Sequence, residues 1–251
     1  MIFAAMYSDD ALDYFIYLVM TLIAVCIALV LHEVAHGLVA KWNGDYTAKY
    51  AGRLSLNPLK HFDPVGFVMM MLVGFGYAKP VPVNPSNFKH YRKGLITVAI
   101  AGVITNLIIA FLSAMFYCLM QFAWGRAMYG GASMGVINLC WYLMRFFAIM
   151  GTINLSLVFF NILPIYPLDG FRVVEAFTHV GNKFCAFMRT NGQYILYGLV
   201  GLSFIVSMAQ SYVALPYWFG YIDILGTYLK FFVDNVLWLF TKFWWLMIPV
   251  A

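Results

Sequence analysis

The stretch Tyr14-Phe-Ile-Tyr-Leu-Val-Met-Thr-Leu-Ile-Ala-Val-Cys-Ile-Ala-Leu-Val-Leu31 decides the fold of this chain, because Thr21 is its only residue that is neither apolar nor aromatic. An α-helix rises about 1.5 Å per residue, so a run of this length is long enough to cross the hydrocarbon core of a bilayer. The flanking residues continue the same pattern. The sequence therefore predicts one membrane-spanning helix from about Ala11 to Trp42.

The apolar run leads directly into His32-Glu33-Val34-Ala35-His36. Two histidines four residues apart on a helix project from one face, close enough to bind one metal ion. A glutamate between them is placed to act as a base on a metal-bound water. The pattern indicates a metalloprotease motif carried on a membrane helix.

The composition limits the class of protein. The chain has 251 residues, of which 64% are hydrophobic and 10% charged, whereas a soluble domain carries about a quarter charged residues. We therefore expect an all-α polytopic membrane protein with about four to six transmembrane helices in a lipid bilayer. The net charge of +5 does not indicate a nucleic-acid partner, because the lysines and arginines cluster at the ends of apolar segments.

The charges around the first helix predict its orientation. Its N-terminal flank has no lysine or arginine, whereas Lys41, Lys49, Arg53 and Lys60 follow its C-terminal end. Basic residues favour the cytoplasmic side, so the N-terminus is expected outside. His36 precedes Lys41 by about 8 Å along the helix axis, which places the histidines in the membrane but near the cytoplasmic face.

The rest of the chain divides into further apolar segments. The apolar segment 65–78 is only 14 residues long and has basic flanks, which predicts a re-entrant segment near the cytoplasmic face. The stretches 47–56 and 77–84 are predicted as short strands. Further spans are predicted at about 95–124, 136–163 and 193–215, with a short helix at about 169–180. Whether 221–248 crosses the membrane or lies at its surface stays open.

A third metal ligand is needed for catalytic zinc, and Asp169 is the best candidate. Pro164 and Pro167 break the preceding apolar helix, so the chain can turn and direct the carboxylate back to the first helix. A carboxylate after a long apolar span is costly to bury unless it is paired or bound to a cation. Asp169 as the cap of a short surface helix is an equally weighted alternative.

Two distant motifs together resemble the site-2 protease family of intramembrane zinc metalloproteases. They are the His32–His36 motif in a membrane helix and Asn161-Ile-Leu-Pro164-Ile-Tyr-Pro167-Leu-Asp169-Gly170. Residues 44–59, 61–66 and 79–84 resemble the small single-domain prokaryotic branch, without a PDZ or CBS domain. Ala101-Gly-Val103-Ile-Thr-Asn106 is similar to the family's AGPxxN segment, although Val103 replaces its proline and Phe171 replaces a common glycine. The resemblance covers roughly residues 14–175.

The resemblance implies one domain, 1–251, with a catalytic core at about 11–180 and C-terminal helices at about 190–250. It also implies one Zn²⁺ per chain and roles for individual residues. The implied metal ligands are His32, His36 and Asp169, the catalytic base is Glu33, and the residues near the scissile peptide are Asn106 and Asn161. The predicted strands, which contain Arg53, Pro80 and Asn84, are expected to hold the substrate extended by strand addition.

The expected function is an intramembrane zinc endopeptidase of a bacterial cytoplasmic membrane. Its expected substrates are single-span membrane proteins or remnant signal peptides; its oligomeric state stays open. The alternatives are a metal-transport protein and a catalytically silent membrane scaffold. Transport does not explain Glu33 beside a metal-binding histidine, and the scaffold alternative does not explain why every motif residue is present.

Two charged positions carry expectations about packing. Arg145 lies in the middle of an apolar span and needs an acidic partner or a wet cavity. Arg172 and Glu175 are three residues apart on the short helix after Asp169, so the sequence predicts that they pair.

Overall fold

The computed structural model of the chain describes residues 11–64, 66, 78–179, 181–213 and 216–248. The re-entrant segment predicted at 65–78 lies outside the described residues, apart from Gly66 and Ala78.

The described residues form long helices joined by short irregular segments. The helices are α1 (Ala11–Trp42), α2 (Thr47–Tyr50), α3 (Tyr91–Tyr129), α4 (Met134–Asn161), α5 (Asp169–Phe177), α6 (Lys183–Tyr212) and α7 (Ile224–Met247). Five of these, α1, α3, α4, α6 and α7, are long and apolar enough to cross a membrane. The prediction of an all-α polytopic membrane protein is confirmed, and the segment left open at 221–248 forms one of these five helices.

Helices α1, α3 and α4 pack as an antiparallel group. His36 of α1 meets Val98 near the start of α3, and Ser113 in the middle of α3 lies against Gly151 of α4. Small residues such as Gly151 let helix backbones approach closely in a membrane protein. The C-terminus of α1, the N-terminus of α3 and the C-terminus of α4 therefore share one end of the bundle, called the site end below.

Helix α7 covers α3 and α4. Val233 packs against Ala110 of α3 and Leu155 of α4, and the Tyr228 hydroxyl donates a hydrogen bond of 3.2 Å to the Phe159 carbonyl. Tyr228 is close to the start of α7 and Phe159 is close to the end of α4, so these two helices are antiparallel. The N-terminus of α1 and the C-terminus of α7 thus lie at the same end of the bundle, away from the site end.

Helix α6 supports the turn between α4 and α5. Leu196, in the middle of α6, packs in one cluster with Phe160, Leu168 and Leu225. A Cβ atom on Gly192 would lie 2.8 Å from the Tyr166 carbonyl oxygen, so the absence of a side chain allows α6 to approach this turn. The contact fixes the position of the residue after Leu168, which is Asp169.

The prediction of two short strands is wrong for the described residues. The first stretch contains helix α2, and the second is irregular from Ala78 to Asn84. Pro80 and Pro82 have no N–H group to donate to a strand ladder. The other amides of this second stretch bond mainly to side chains and loop carbonyls, as described below, so the chain is extended there without a neighbouring strand among the described residues.

The two expectations for charged residues had different outcomes. Arg145 pairs with Asp13 near the start of α1, with 2.8 Å between Nη1 and Oδ1, which provides the predicted acidic partner. The pair predicted within α5 is wrong, because Glu175 contacts the guanidinium of Arg189 on α6. Glu175 thus pairs with a residue of another helix and not with Arg172, which lies three residues before it on α5.

Candidate metal centre

The two histidines of α1 meet at the site end. Their Nε2 atoms are 3.0 Å apart, and both side chains are buried between α1 and α3. The Nδ1 atom of His36 lies 2.7 Å from the Val98 carbonyl oxygen. A carbonyl only accepts, so Nδ1 of His36 donates this hydrogen bond, and Nε2 of the same ring faces the space shared with His32.

Gly102 of α3 makes room for His32. A Cβ atom built on this glycine would lie 2.5 Å from Cε1 of the His32 ring and 2.7 Å from each of its nitrogens. Those distances are well inside van der Waals contact, so any larger residue would displace the imidazole. The glycine at position 102 thus allows the His32 side chain to keep its observed position against α3.

Asp169 reaches the same point from α5. Its Oδ2 atom lies 3.2 Å from Nε2 of His32 and 3.1 Å from Nε2 of His36. Leu168 occupies the N-cap position of α5, and the Asp169 side chain points towards the histidines instead of capping the helix.

These three side chains fit a metal ion by their chemistry. Three potential lone-pair donors converge in a buried space, an arrangement that needs positive charge between them. Ligands in a tetrahedral zinc site with bonds of about 2.0–2.1 Å are separated by about 3.3 Å, close to the observed 3.0–3.2 Å. Among the described residues, this is the one group of three histidines, cysteines or carboxylates with such geometry.

Glu33 lies beside this group but is not part of it. Its half-buried side chain accepts a hydrogen bond of 2.8 Å at Oε2 from the backbone N–H of Val81. The interaction fixes one oxygen of the carboxylate, whereas Oε1 accepts no hydrogen bond from the described residues. A carboxylate oriented in this way has one oxygen available for a proton.

The segment 79–84 is held at both ends. At the start, Arg53 donates a hydrogen bond of 2.6 Å to the Lys79 carbonyl, and the Lys79 amide donates one of 2.9 Å to the His61 carbonyl. At the other end, the Asn84 amide donates to a carboxylate oxygen of Asp45 at 2.7 Å. Arg53 and Asn84, predicted as part of a substrate strand with Pro80, thus help to fix this segment.

Asp45 was not identified from the sequence. The chain leaves α1 through Gly44, whose φ of +105° favours glycine, and Asp45 is then completely buried. Besides Asn84, its carboxylate accepts from the amide and hydroxyl of Thr47 at 3.1 and 2.5 Å and from Nδ2 of Asn87 at 2.8 Å. Burial raises the pKa of Asp45, but these hydrogen bonds outweigh burial and lower it. The pattern Asp45-x-Thr47 is typical of a local Asx turn and was the one available signal.

Three asparagines differ in their surroundings. Asn106 is fully buried, and neither Oδ1 nor Nδ2 of its amide has a partner among the described residues. It lies one helical turn beyond Gly102 on the same face of α3, so its amide is free for a ligand. Asn161 ends α4 and donates to the Leu157 carbonyl at 3.0 Å. Asn154, which the sequence did not indicate, is fully buried with an unpartnered Oδ1 in the described part of the chain.

The chain is similar to known proteins over most of this architecture. The model of peptidase family M50 matches residues 20–206, a range that includes both histidines and Asp169. A protein of Bacillus subtilis (strain 168) named "Putative zinc metalloprotease YwhC" is 45% identical over 159 residues, which cover 63% of this chain and 68% of that protein. No solved structure matches the chain. The chain therefore belongs to peptidase family M50, the site-2 protease family, and is a zinc metalloprotease.

Proposed function

We propose that the chain is an intramembrane endopeptidase that hydrolyses peptide bonds in or near transmembrane segments of membrane proteins or remnant signal peptides. One observation carries the proposal. His32, His36 and Asp169 converge inside a bundle of helices that are long and apolar enough to cross a membrane. A peptide bond must therefore enter the membrane-embedded bundle to reach the group.

The roles proposed for the side chains follow from their positions. His32, His36 and Asp169 would hold Zn²⁺, which supplies a Lewis acid and lowers the pKa of a bound water when present. Glu33 takes the proton of the attacking water on Oε1, because Oε2 is engaged by Val81. It then passes the proton to the leaving amine.

Asn106 is proposed to stabilise the reacting carbonyl. Its Nδ2 has no partner among the described residues although the side chain is completely buried, and a buried amide without a partner costs about 1–3 kcal/mol. A substrate carbonyl that accepts this N–H recovers that cost as negative charge develops on its oxygen. Asn161 stays a prediction for the substrate region, with its amide held by its own helix.

The irregular stretch 54–56 supports binding of an extended substrate. The backbone amides of these three residues donate to no acceptor among the described residues, and Leu54 and Leu56 would present theirs on one edge. The Leu54 side chain lies against Gly37, since a Cβ atom there would be 2.5 Å from its Cδ2. This edge therefore lies beside the metal motif and can bond a peptide backbone.

The segment 79–84 is less suited to strand addition. Pro80 and Pro82 have no N–H, and the amides of Lys79, Val81 and Asn84 are already bonded. Within this segment, only the amide of Val83 has no acceptor among the described residues. Of the two predicted substrate strands, the contacts thus favour the stretch that contains Leu54 and Leu56.

The proposed location is a bacterial cytoplasmic membrane, with the N-terminus of α1 outside. The basic residues after α1 support this orientation. The metal group lies at the site end of the bundle, so the active site is proposed near the cytoplasmic face.

Cleavage by matched glutamine variants tests the proposal. The chain has two glutamates, Glu33 and Glu175, and only the first is proposed to take part in chemistry. With single-span substrates in liposomes, the wild type and Glu175→Gln are expected to cleave, whereas Glu33→Gln is expected to bind zinc without cleaving. Equal cleavage by Glu33→Gln would contradict the proposed base. Zinc transport or substrate capture by a wild type that cleaves nothing would favour the transport or scaffold alternative.

A further inference from the structure

The buried carboxylate of Asp45 is the best organised polar group outside the metal centre in the described part of the chain. It has no exposed surface, and all its hydrogen-bond partners are donors: the amide and hydroxyl of Thr47, the amide of Asn84 and Nδ2 of Asn87. A buried charge costs several kcal/mol unless it is satisfied in this way. Asp45 therefore binds the turn after α1 strongly to the chain around residues 84–87.

The hydrogen bond from the Asn84 amide to Asp45 helps to fix the four residues between Lys79 and Asn84. Lys79 is anchored by Arg53 and His61, and Asn84 is anchored by Asp45. The residues between these anchors are Pro80-Val81-Pro82-Val83, and the two prolines restrict the backbone further. The position of the Val81 amide is thus set largely by the two anchors.

The Val81 amide is the group that contacts Glu33, at 2.8 Å. The Val81 side chain is buried, and a Cβ atom on Gly37 would lie 3.1 Å from its Cγ1. The Val81 side chain therefore packs against α1 at Gly37, the residue that follows His36. A shift of the segment would move the hydrogen-bond donor away from the glutamate.

We propose that Asp45 is a positioning residue for Glu33: it anchors the segment 79–84 at Asn84, so that the Val81 N–H holds Oε2 of the Glu33 carboxylate and leaves Oε1 to take the proton of the attacking water. The inference rests on the proposed role of Glu33 as the base. Asp45 itself touches neither the substrate nor the metal ligands. Its contribution passes through one backbone amide, which makes it separable from a general effect on folding.

Substitutions that remove single hydrogen-bonding groups test this route. Asp45→Asn keeps the size of the side chain but turns one acceptor into a donor, which faces a donor already present. Asp63→Asn is its matched control, because Asp63 also bonds a backbone amide, that of Gly66 at 2.9 Å. Val81→Pro removes the amide that reaches Glu33. Val83→Pro is the control, since Val83 also follows a proline and its amide has no acceptor among the described residues.

The measurements are kcat and KM on a liposomal single-span substrate, zinc content, and thermal unfolding of each purified full-length variant. We expect Asp45→Asn and Val81→Pro each to lower kcat at least about tenfold per zinc-loaded molecule, with KM changed less than about threefold. Because both act through the same amide, the double variant should be about as active as Val81→Pro alone. Asp63→Asn and Val83→Pro should keep kcat within about twofold of the wild type.

Three results would overturn the inference. They are a wild-type kcat for folded, zinc-loaded Asp45→Asn; losses that multiply in the double variant; and a loss in Val83→Pro equal to that in Val81→Pro. Glu33→Gln in the same assay separates this failure from failure of the proposed function. An inactive Glu33→Gln with a fully active Asp45→Asn refutes only the positioning role, whereas an active Glu33→Gln refutes the role of Glu33 itself.

Discussion

Gly102→Ala should weaken zinc binding without unfolding the protein. The new methyl group would lie 2.5–2.7 Å from three atoms of the His32 ring, whereas carbon atoms in contact are about 3.5–4.0 Å apart. The ring must therefore move by about 1 Å, which exceeds the tolerance of about 0.2 Å for ligand distances in a metal site. Helix α3 itself gains stability from alanine by about 0.5–1 kcal/mol.

The expected magnitude follows from the cost of overpacking. Such insertions typically cost about 1–3 kcal/mol, and about 1.4 kcal/mol corresponds to a tenfold change in affinity. If the strain is relieved when His32 leaves the metal, the dissociation constant for zinc rises by about 5- to 150-fold.

A chelator-competition titration in detergent measures this change. Gly151→Ala is the matched control, because the nearest atom to its new Cβ would be Leu237 Cδ1 at 3.2 Å, and a leucine side chain can adjust. We expect Gly151→Ala to bind zinc as the wild type does. Wild-type zinc affinity in Gly102→Ala, or an equal loss in both variants, would refute the idea that Gly102 makes room for His32.

Three further predictions concern the loop, the substrate edge and the topology. The pKa of Asp45 is lowered in the folded protein, so its contribution to stability is present above the ordinary carboxyl value of 3.8 and is lost as the pH falls through the lower folded value. Asp45→Asn should remove this part of the acid dependence in unfolding scans that extend below pH 3.8. Leu56→Pro removes an amide without an acceptor among the described residues, so it should lower kcat/KM at least about tenfold with zinc content unchanged; unchanged kcat/KM would exclude that edge as a substrate contact. Tags inserted directly before α1 and directly after α7 should be accessible from the same side of the membrane, because α1 starts and α7 ends away from the site end; labelling from opposite sides would contradict the helix order.

Local patterns predicted the long helices and two of the three members of the metal group. The spacing of His32 and His36 on a helix is sufficient to bring their side chains together, and the apolar run before them predicted α1 with the bounds observed. Asp169 could not be placed by spacing alone, because it lies 133 positions after His36. The resemblance to a known family was needed to choose between a ligand and a helix cap.

The strand predictions are wrong where side chains that are distant in the sequence accept hydrogen bonds from backbone amides. The pattern at 47–56 and 77–84 favoured strands, but Asp45 and Glu33 accept the amides that a ladder would use. Asp45 was missed because two of its partners, Asn84 and Asn87, are about 40 residues away along the chain. Glu175 contacts Arg189 for the same kind of reason, since the packing of α6 against α5 brings in a partner that local spacing does not indicate.

The most direct test of the metal centre is the zinc content of purified wild type, Glu33→Gln and Asp169→Ala, measured beside cleavage of the same liposomal substrates. We expect about one zinc per chain in the wild type and in Glu33→Gln, cleavage by the wild type alone, and loss of both zinc and cleavage in Asp169→Ala. One tightly bound zinc in Asp169→Ala would contradict Asp169 as the third ligand, and cleavage by Glu33→Gln at the wild-type rate would contradict Glu33 as the base.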